Sequence, residues 1–224
     1  FSYLNMAIFT THTPSDDTYL IIKSRNQEVL NLLDLSPQSL IHIAEQATLE
    51  LIIGEGKYNH NIHLILTKGA KLEILEQETW NGTINWTIDL IEPYSAVQYI
   101  TRLDIQEDSQ NMIIVNHQAA YTKSQIDSRY CLITRHKVTQ HTIIQIPEAI
   151  THCQATQSAE VLLLTDRAQV QIIPELRVAT DNSNASHGVS IHPIRAQDIF
   201  YLMARGISKR KSLHILKTGF LEVK

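Results

Sequence analysis

The sequence predicts an all-β fold, a β-helix that coils one rung per repeat, followed by a short C-terminal helical hairpin. Hydrophobic and polar side chains alternate between residues 39 and 178, and a short sequence motif recurs along the same stretch. After Pro193 the apolar residues change to helical spacing. Period two is typical of strands and a spacing of three to four is typical of helices, so the chain divides into a β body and a helical tail.

The alternation is clearest around residue 88, where Ile84, Trp86, Ile88 and Leu90 are separated by single residues that are mostly polar. In an extended strand these four side chains point to one face and the intervening ones to the other. The sequence therefore predicts strands with one buried and one solvated face.

The repeated motif consists of a polar turn, a small residue that is usually alanine, and a strand in which hydrophobic and polar residues alternate. Spacings of 19 to 30 residues are typical of a solenoid, in which stacked rungs share one core. Helical repeats need amphipathic helices, which these units lack, so a β-helix is favoured over a β-sandwich with coincidental alanines. The aligned alanines are Ala47, Ala70, Ala96, Ala119, Ala149 and Ala168.

The two ends of the chain are predicted separately, as a lead-in (1–38) and a tail (195–224) on either side of a core (39–194). In the lead-in, Thr18–Ile22 reads as a strand, and residues 26–35 as a short helix or two irregular turns.

The tail should form two helices. Residues 196–205 have apolar residues at helical spacing and Gly206 ends them, Ser208 is a good N-cap for the second helix, and Gly219 is a plausible residue just past its end.

Charge and cysteine content restrict the class of protein. The net charge is −4, but the tail carries seven basic residues against two acidic ones, which suits either an acidic partner surface or a solvated basic face. A nucleic-acid site would need a larger basic field with aromatic residues interleaved among the charges, and the tail lacks such a field. No apolar run approaches the roughly 20 residues of a membrane helix. Cys131 and Cys153 are too few for a disulfide framework, which fits a reducing, cytoplasmic setting.

Two motifs near the C-terminus resemble a known family. The run QSAEVLLLTDRAQVQIIPELRV (157–178) and the run ASHGVSIHPIRAQDIFYLMARGI (185–207) are similar to the SufB/SufD family of iron–sulfur cluster assembly proteins, and to SufD more closely. Gly219-Phe220 and, at the other end, Leu4-Asn5 with Ala7 also fit its pattern. A cysteine-bearing motif typical of SufB is absent.

The resemblance implies a right-handed parallel β-helix that acts as a scaffold subunit and not as an enzyme. It implies two partners: a SufC-like ATPase bound by the C-terminal helices, and a SufB-like subunit, or a second copy, paired at the end of the coil. A transient iron–sulfur cluster at that junction is implied, and no tightly bound cofactor. The residues expected to meet the ATPase are Phe200, Tyr201, Arg205, Gly206, Leu213 and Leu216. Phe200 and Tyr201 could instead pack the first helix on the last rung.

The resemblance also singles out His187, in the Ser-His-Gly motif, as a candidate iron ligand or gate. A hydrogen-bonded turn histidine beside Gly188 is the structural alternative. The position that is often cysteine in SufD proteins is Ala185 here, so no thiolate is present there. One imidazole alone would not hold iron, because such sites normally need two or more soft ligands.

Other candidate chemistry is weaker. His60 and His63 should face opposite sides of a strand, as should His187 and His192, whereas Cys131 and Cys153 are about one rung apart and could stack, although packing is favoured over metal ligation. The outward acids (Glu50, Glu73, Asp89 and Asp104) fall on different rungs, with no convincing catalytic pair. A stand-alone β-solenoid that binds or acts on carbohydrate is the second hypothesis.

Overall fold

The computed structural model describes residues 11–12, 18–77 and 79–222, which form fifteen strands and three helices. The match to the start of the family pattern at Leu4, Asn5 and Ala7 lies outside these residues. The helices are a 3₁₀ helix at Leu32–Asp34, α1 at Ala196–Met203 and α2 at Lys209–Leu221. The strands are β1 Thr11–His12, β2 Thr18–Ile22, β3 Gln27–Asn31, β4 Gln38–Ile43, β5 Thr48–Ile53, β6 Gly56–Leu66, β7 Lys71–Glu76, β8 Trp80–Leu90, β9 Ala96–Ile105, β10 Ser109–His117, β11 Lys123–Leu132, β12 Lys137–Ile146, β13 Gln154–Leu163, β14 Gln169–Val178 and β15 Asn184–Pro193.

Two parallel sheets make up the body. Sheet A has the order β1-β2-β4-β6-β8-β10-β12-β14, and sheet B has the order β15-β13-β11-β9-β7-β5-β3. Apart from the antiparallel β1–β2 pair, every pairing is parallel and joins strands one turn apart. Because the chain passes from one sheet to the other at each step, it winds as a coil of about six turns. The predicted β-solenoid with two C-terminal helices is confirmed.

The coil includes residues N-terminal to 39, since β2 and β3 pair in parallel with β4 and β5. The strand predicted at Thr18–Ile22 is confirmed. The short helix or irregular turns predicted for residues 26–35 are wrong, because this segment forms β3 and then the 3₁₀ helix. Its alternation is too short to stand out in the sequence, and pairing with β5 decides its conformation.

The core lies between the sheets and is built by the alternating residues. On β5, for example, Leu49, Leu51 and Ile53 are fully buried, while the residues between them are half-buried. Each such side chain contributes about 1.5–3 kcal/mol by leaving water. Because parallel strands in register bring like positions together, the buried residues of successive rungs form continuous rows.

The turns that lead from sheet A to sheet B also stack. One residue of each turn, two positions before the strand that follows, has a positive φ between 58° and 66°; these residues are Arg25, Gln46, Gly69, Tyr94, Tyr121 and His152. In every one of these turns except the first, where Asn26 is half-buried, the next residue is small and buried, because a larger side chain would not fit the closed turn. The buried small residues are Ala47, Ala70, Ser95, Thr122 and Cys153.

The predicted alanine repeat is therefore right at Ala47 and Ala70 and wrong at the later positions. Serine, threonine and cysteine occupy the same place in the later turns, so alignment on alanine slips by up to four residues. Ala168 lies before β14, in a turn of the opposite direction from sheet B to sheet A.

A polar cluster is buried inside the coil around Glu76, at the end of β7. The Glu76 carboxyl accepts hydrogen bonds from Tyr99, from Thr101 (2.9 Å) and from Asn111 (3.0 Å). Burial raises the pKa of Glu76 to about 7, and these hydrogen bonds lower it by less. Glu76 thus changes charge near neutral pH without contact with solvent.

This cluster predicts a stability that depends on pH. The pKa of Glu76 is about 7 in the fold against an ordinary value of 4.5, so the folded state binds the proton more tightly. The contribution of Glu76 to the free energy of unfolding should be fully present below pH 4.5, fall by roughly 3 kcal/mol as the pH rises to 7, and stay level above it. Burial lowers the pKa of His117 to about 4, which adds an opposite change in the wild type and in Glu76→Gln alike. Urea unfolding of the wild type and of Glu76→Gln at pH 5 and pH 8 measures the difference.

Glu76→Gln should lose this decrease, while Glu73→Gln, at an exposed position on the same strand, should keep it. An equal decrease in the wild type and in Glu76→Gln would contradict the assignment of the proton to Glu76.

Candidate functional site

The C-terminal end of the coil is formed by β14 on sheet A and β15 on sheet B. Each is the last strand of its sheet and pairs on one side only, β14 with β12 and β15 with β13. The backbone groups on the other side have no ladder partner within the described sheets. Unpaired edges of this kind are templates for another strand.

The inward side chains of these two strands occupy the same positions as the buried core residues of the preceding rungs. Leu176 pairs with Ile144 and Ile191 pairs with Val161, and both of these partners are fully buried. In the last rung, however, Ile191 is 46% exposed. The inward residues of the end face are Val170, Ile172, Pro174, Leu176 and Val178 on β14 and Ala185, His187, Val189 and Ile191 on β15.

The sequence predicts pairing at the end of the coil near His187 but does not identify the apolar residues of that end, although the alternation in 169–178 carries the signal. Alternation shows which face of a strand is buried but not whether another rung follows. We call these nine residues, with the free edges of β14 and β15, the end face.

His187 lies in the end face, within β15 and not in a turn. It is exposed, and its ladder neighbour is Gln157 on β13. Gln157 is only 3% exposed, and neither atom of its side-chain amide has a hydrogen-bond partner among the described residues. Ala185, the inward residue of β15 before His187, carries no thiol, so β15 places no cysteine next to the imidazole at this position.

The other histidine pairs lie as the sequence predicts. His60 points inward and His63 outward, where its Nε2 lies 2.8 Å from an Asp89 carboxylate oxygen. His187 is on the inner face of β15, whereas His192 is on the outer face, with its ring 6.2 Å from that of Phe220.

The two cysteines do not stack on neighbouring turns, so this suggestion from their spacing is wrong. Both are buried and free, but Cys131 is on the outer face of sheet B and Cys153 points inward from a turn. Residue spacing gives the rung but not the position around it. Within residues 11–12, 18–77 and 79–222, no group of three or more His, Cys, Asp or Glu side chains is arranged to hold a metal ion.

The outward acids are mostly engaged. Asp89 pairs with His63, and Asp104 pairs with Lys217 of α2 at 2.5 Å. Glu50 and Glu73 are ladder neighbours on β5 and β7, closer than their sequence positions suggest. Both glutamates lie on an open, outward sheet face.

The helical hairpin follows β15 directly and begins and ends close to the predicted positions. Ser208 caps α2, its hydroxyl accepting from the Lys211 N–H at 3.4 Å, and Gly206 follows α1 with a φ of 79°. The prediction that Gly219 follows the last helix is wrong. The Glu222 N–H donates to the Thr218 carbonyl at 3.0 Å, so the helical bonding continues past the glycine.

The expected partner residues divide into two sets. Phe200 and Tyr201 are 66% and 58% exposed, so they do not pack the hairpin on the coil. The guanidinium of Arg205 lies over the Tyr201 ring, 3.5 Å from its centre, beside the exposed Gly206. Leu213 and Leu216 are half-buried. That these residues together form one partner surface stays a prediction.

The basic charge of the hairpin is only partly used within the protein. Arg195 makes a bidentate contact with Asp198 at 2.9 and 3.0 Å, and Lys217 reaches Asp104. At the start of α2, Lys209, Arg210 and Lys211 are exposed and make no ion pair within the described part of the chain. The helix dipole disfavours cations there, so these charges are available to an acidic surface. None of the described helices is long and apolar enough to cross a membrane.

Comparison with known proteins places this end of the chain in a family. Residues 91–220 match the family model described as SUF system FeS cluster assembly, SufBD core domain. The chain is 20% identical over 238 residues to the iron–sulfur cluster assembly protein SufB of Bacillus subtilis, covering 91% of this chain and 51% of that protein.

Two further relatives match over shorter stretches. SufBD family proteins of Synechocystis sp. and of Pyrococcus horikoshii are each 32% identical, over 77 and 86 residues, which is 34% and 37% of this chain. The chain spans 17% and 19% of their lengths. The matched region includes the end face and the hairpin, and it covers more than half of the chain, so the protein belongs to the SufBD family of SUF-system iron–sulfur cluster assembly proteins.

Proposed function

We propose that the chain is a SufD-like scaffold subunit that pairs through its end face and carries a SufC-like ATPase on its hairpin. The observation that supports this most is the incomplete last rung, with two free strand edges and half-exposed core residues at one end. A second solenoid stacked there would continue both sheets and bury those residues. The proposed occupant is a SufB-like subunit, with a second copy of this chain as the other outcome.

The choice of SufD over SufB rests on the motif around His187. A cysteine typical of the SufB motif is absent, which favours SufD, whereas Ala185 departs from the thiol that SufD proteins often have at this position. The Bacillus SufB match covers most of the chain, so the distinction depends on these few positions.

In this proposal the iron–sulfur cluster is cargo that is assembled at the junction of the two solenoids. A neutral imidazole offers one nitrogen to iron. Among the nine residues of the end face, His187 is the one whose side chain can bind iron. The remaining ligands would come from the partner, because one imidazole does not hold a cluster. The proposed role is scaffolding, with ATP hydrolysis supplied by the other chain.

The end face predicts a pairing that one charge can break. Ile191→Asp would place a carboxylate among apolar side chains that become buried on pairing, so we expect the complex with a SufB-like subunit, or the homodimer, to weaken at least a hundredfold. Sedimentation velocity of the purified protein, alone and with the SufB-like subunit, measures the effect.

Val29→Asp is the matched control, since Val29 is also exposed (54%) but lies on β3 at the opposite end of the coil. Association lost equally in both variants, or in neither, would contradict pairing through the end face.

The hairpin predicts an ATPase site. Replacing both Phe200 and Tyr201 with serine removes exposed aromatic area that no residue of the coil needs, so capture of a SufC-like ATPase should fall at least tenfold without loss of fold. Truncation after Ile194 should abolish capture.

Tyr94→Ser, which removes a comparably exposed ring (61%) from the side of the coil, should bind normally. Full capture by the truncated chain would show that the ATPase binds elsewhere.

His187 predicts a defect in function without a defect in stability. His187→Ala removes an exposed side chain with no hydrogen bond in the described structure, so Tm should change by less than about 2 °C. Maturation of an iron–sulfur reporter enzyme in cells that depend on this protein should fall. His42→Ala, on the outer face of sheet A, should leave both unchanged. A large drop in the Tm of His187→Ala would identify the residue as structural.

A further inference from the structure

Helix α2 lies across the outer face of sheet B, over β9 and β11. Ser212 is its one buried residue, and Ile215 remains 39% exposed. In the strands, by contrast, every second side chain is buried. The helix is therefore attached to the coil far more lightly than the rungs are attached to each other.

Three polar or aromatic contacts hold α2 in place. The Lys217 ammonium lies 2.5 Å from an Asp104 carboxylate oxygen, with the two side chains 20% and 14% exposed. Arg129 donates to the carbonyls of Phe220 and Glu222, both at 3.2 Å, at the end of the helix where carbonyls lack partners. The Phe220 ring meets His192 edge to face.

Cys131 lies beneath this helix. It is on the outward face of β11, next to Asp104 in the ladder, yet it is 0% exposed. Gln125, which is outward on the same strand but outside the helix footprint, is exposed. Burial, and secondarily Asp104, raise the pKa of the thiol to about 12, while Lys217 lowers it. With α2 in place, Cys131 is therefore shielded and protonated.

We propose that α2 is a cover that leaves sheet B as a unit while the coil stays folded, and that the Lys217–Asp104 ion pair holds it closed. Release breaks the ion pair, the Arg129 contacts and the Phe220–His192 ring contact and exposes Ser212, whereas both sheets keep their ladders. Regions with few buried contacts open at lower free energy than the core. Release exposes the Cys131 thiol to solvent, where it ionises and reacts more readily. This inference does not depend on which partner the protein binds.

The rate of thiol alkylation tests the cover. The folded full-length chain is treated with iodoacetamide, and labelling of Cys131 and Cys153 is followed separately by peptide mass spectrometry. Lys217→Met leaves Asp104 without its partner under the helix, so labelling of Cys131 should accelerate at least tenfold. Labelling of Cys153, which is buried in a turn of the coil and not under α2, should not change.

Two variants serve as controls. Lys211→Met removes an exposed charge from the same helix and should label like the wild type, and Lys217→Arg keeps the charge and should retain protection. Equal labelling rates at the two cysteines in every variant would overturn the proposal, because the thiols would then be exposed by unfolding of the coil. An unchanged Cys131 rate in Lys217→Met would also overturn it, because the ion pair would then not hold the helix closed.

Discussion

Every rung of this protein depends on a rung on either side of it. The strands pair in parallel and in register, so each backbone ladder and each row of inward side chains is completed by the neighbouring turns. Ile144 is fully buried, whereas Leu176, its ladder neighbour on the last strand, is only half-buried. The two positions differ in whether another rung follows. The interaction that builds the core therefore leaves the C-terminal end of the coil with unpaired strand edges, and the candidate site lies there.

Polar groups inside the coil obey the same dependence. The buried Gln140 side chain accepts a hydrogen bond from the Tyr130 hydroxyl at 2.8 Å and donates hydrogen bonds to Ser128 and Thr142 at 3.1 and 3.0 Å. These hydrogen bonds compensate for the burial of its amide. Such networks disfavour slippage of the rungs, because a shift would leave buried polar atoms unpaired. Gln157, one turn from the end and next to His187, has no partner for either amide atom within the described structure. Unpartnered buried atoms also occur in the middle of the described coil, such as Trp86 Nε1 and Ser109 Oγ, but at Gln157 neither amide atom has a partner, beside the end that the proposed second chain would complete.

The sequence was informative where local pattern and tertiary structure agree. Period two over 39–178 gave the strands, the spaced turns gave the solenoid, and Ser208 and Gly206 gave the helix boundaries. It was least informative where the outcome depends on the position of a residue around the coil. Spacing alone could not show that Cys131 faces outward under α2 while Cys153 faces inward, nor that serine and threonine replace alanine in the later turns. The fold at 26–35 is likewise decided by pairing with β5 and not by its own residues.

The two proposed surfaces differ in chemistry but share one strand. The end face is apolar and offers free backbone edges, whereas the hairpin offers exposed aromatic rings and a basic helix start. β15 forms the free edge of sheet B, leads directly into α1, and carries His192, against which Phe220 of α2 packs. The strand against which α2 packs is therefore the same strand that carries His187 in the end face. The hairpin and the end face are thus in direct contact through β15, without any need for a path through the core.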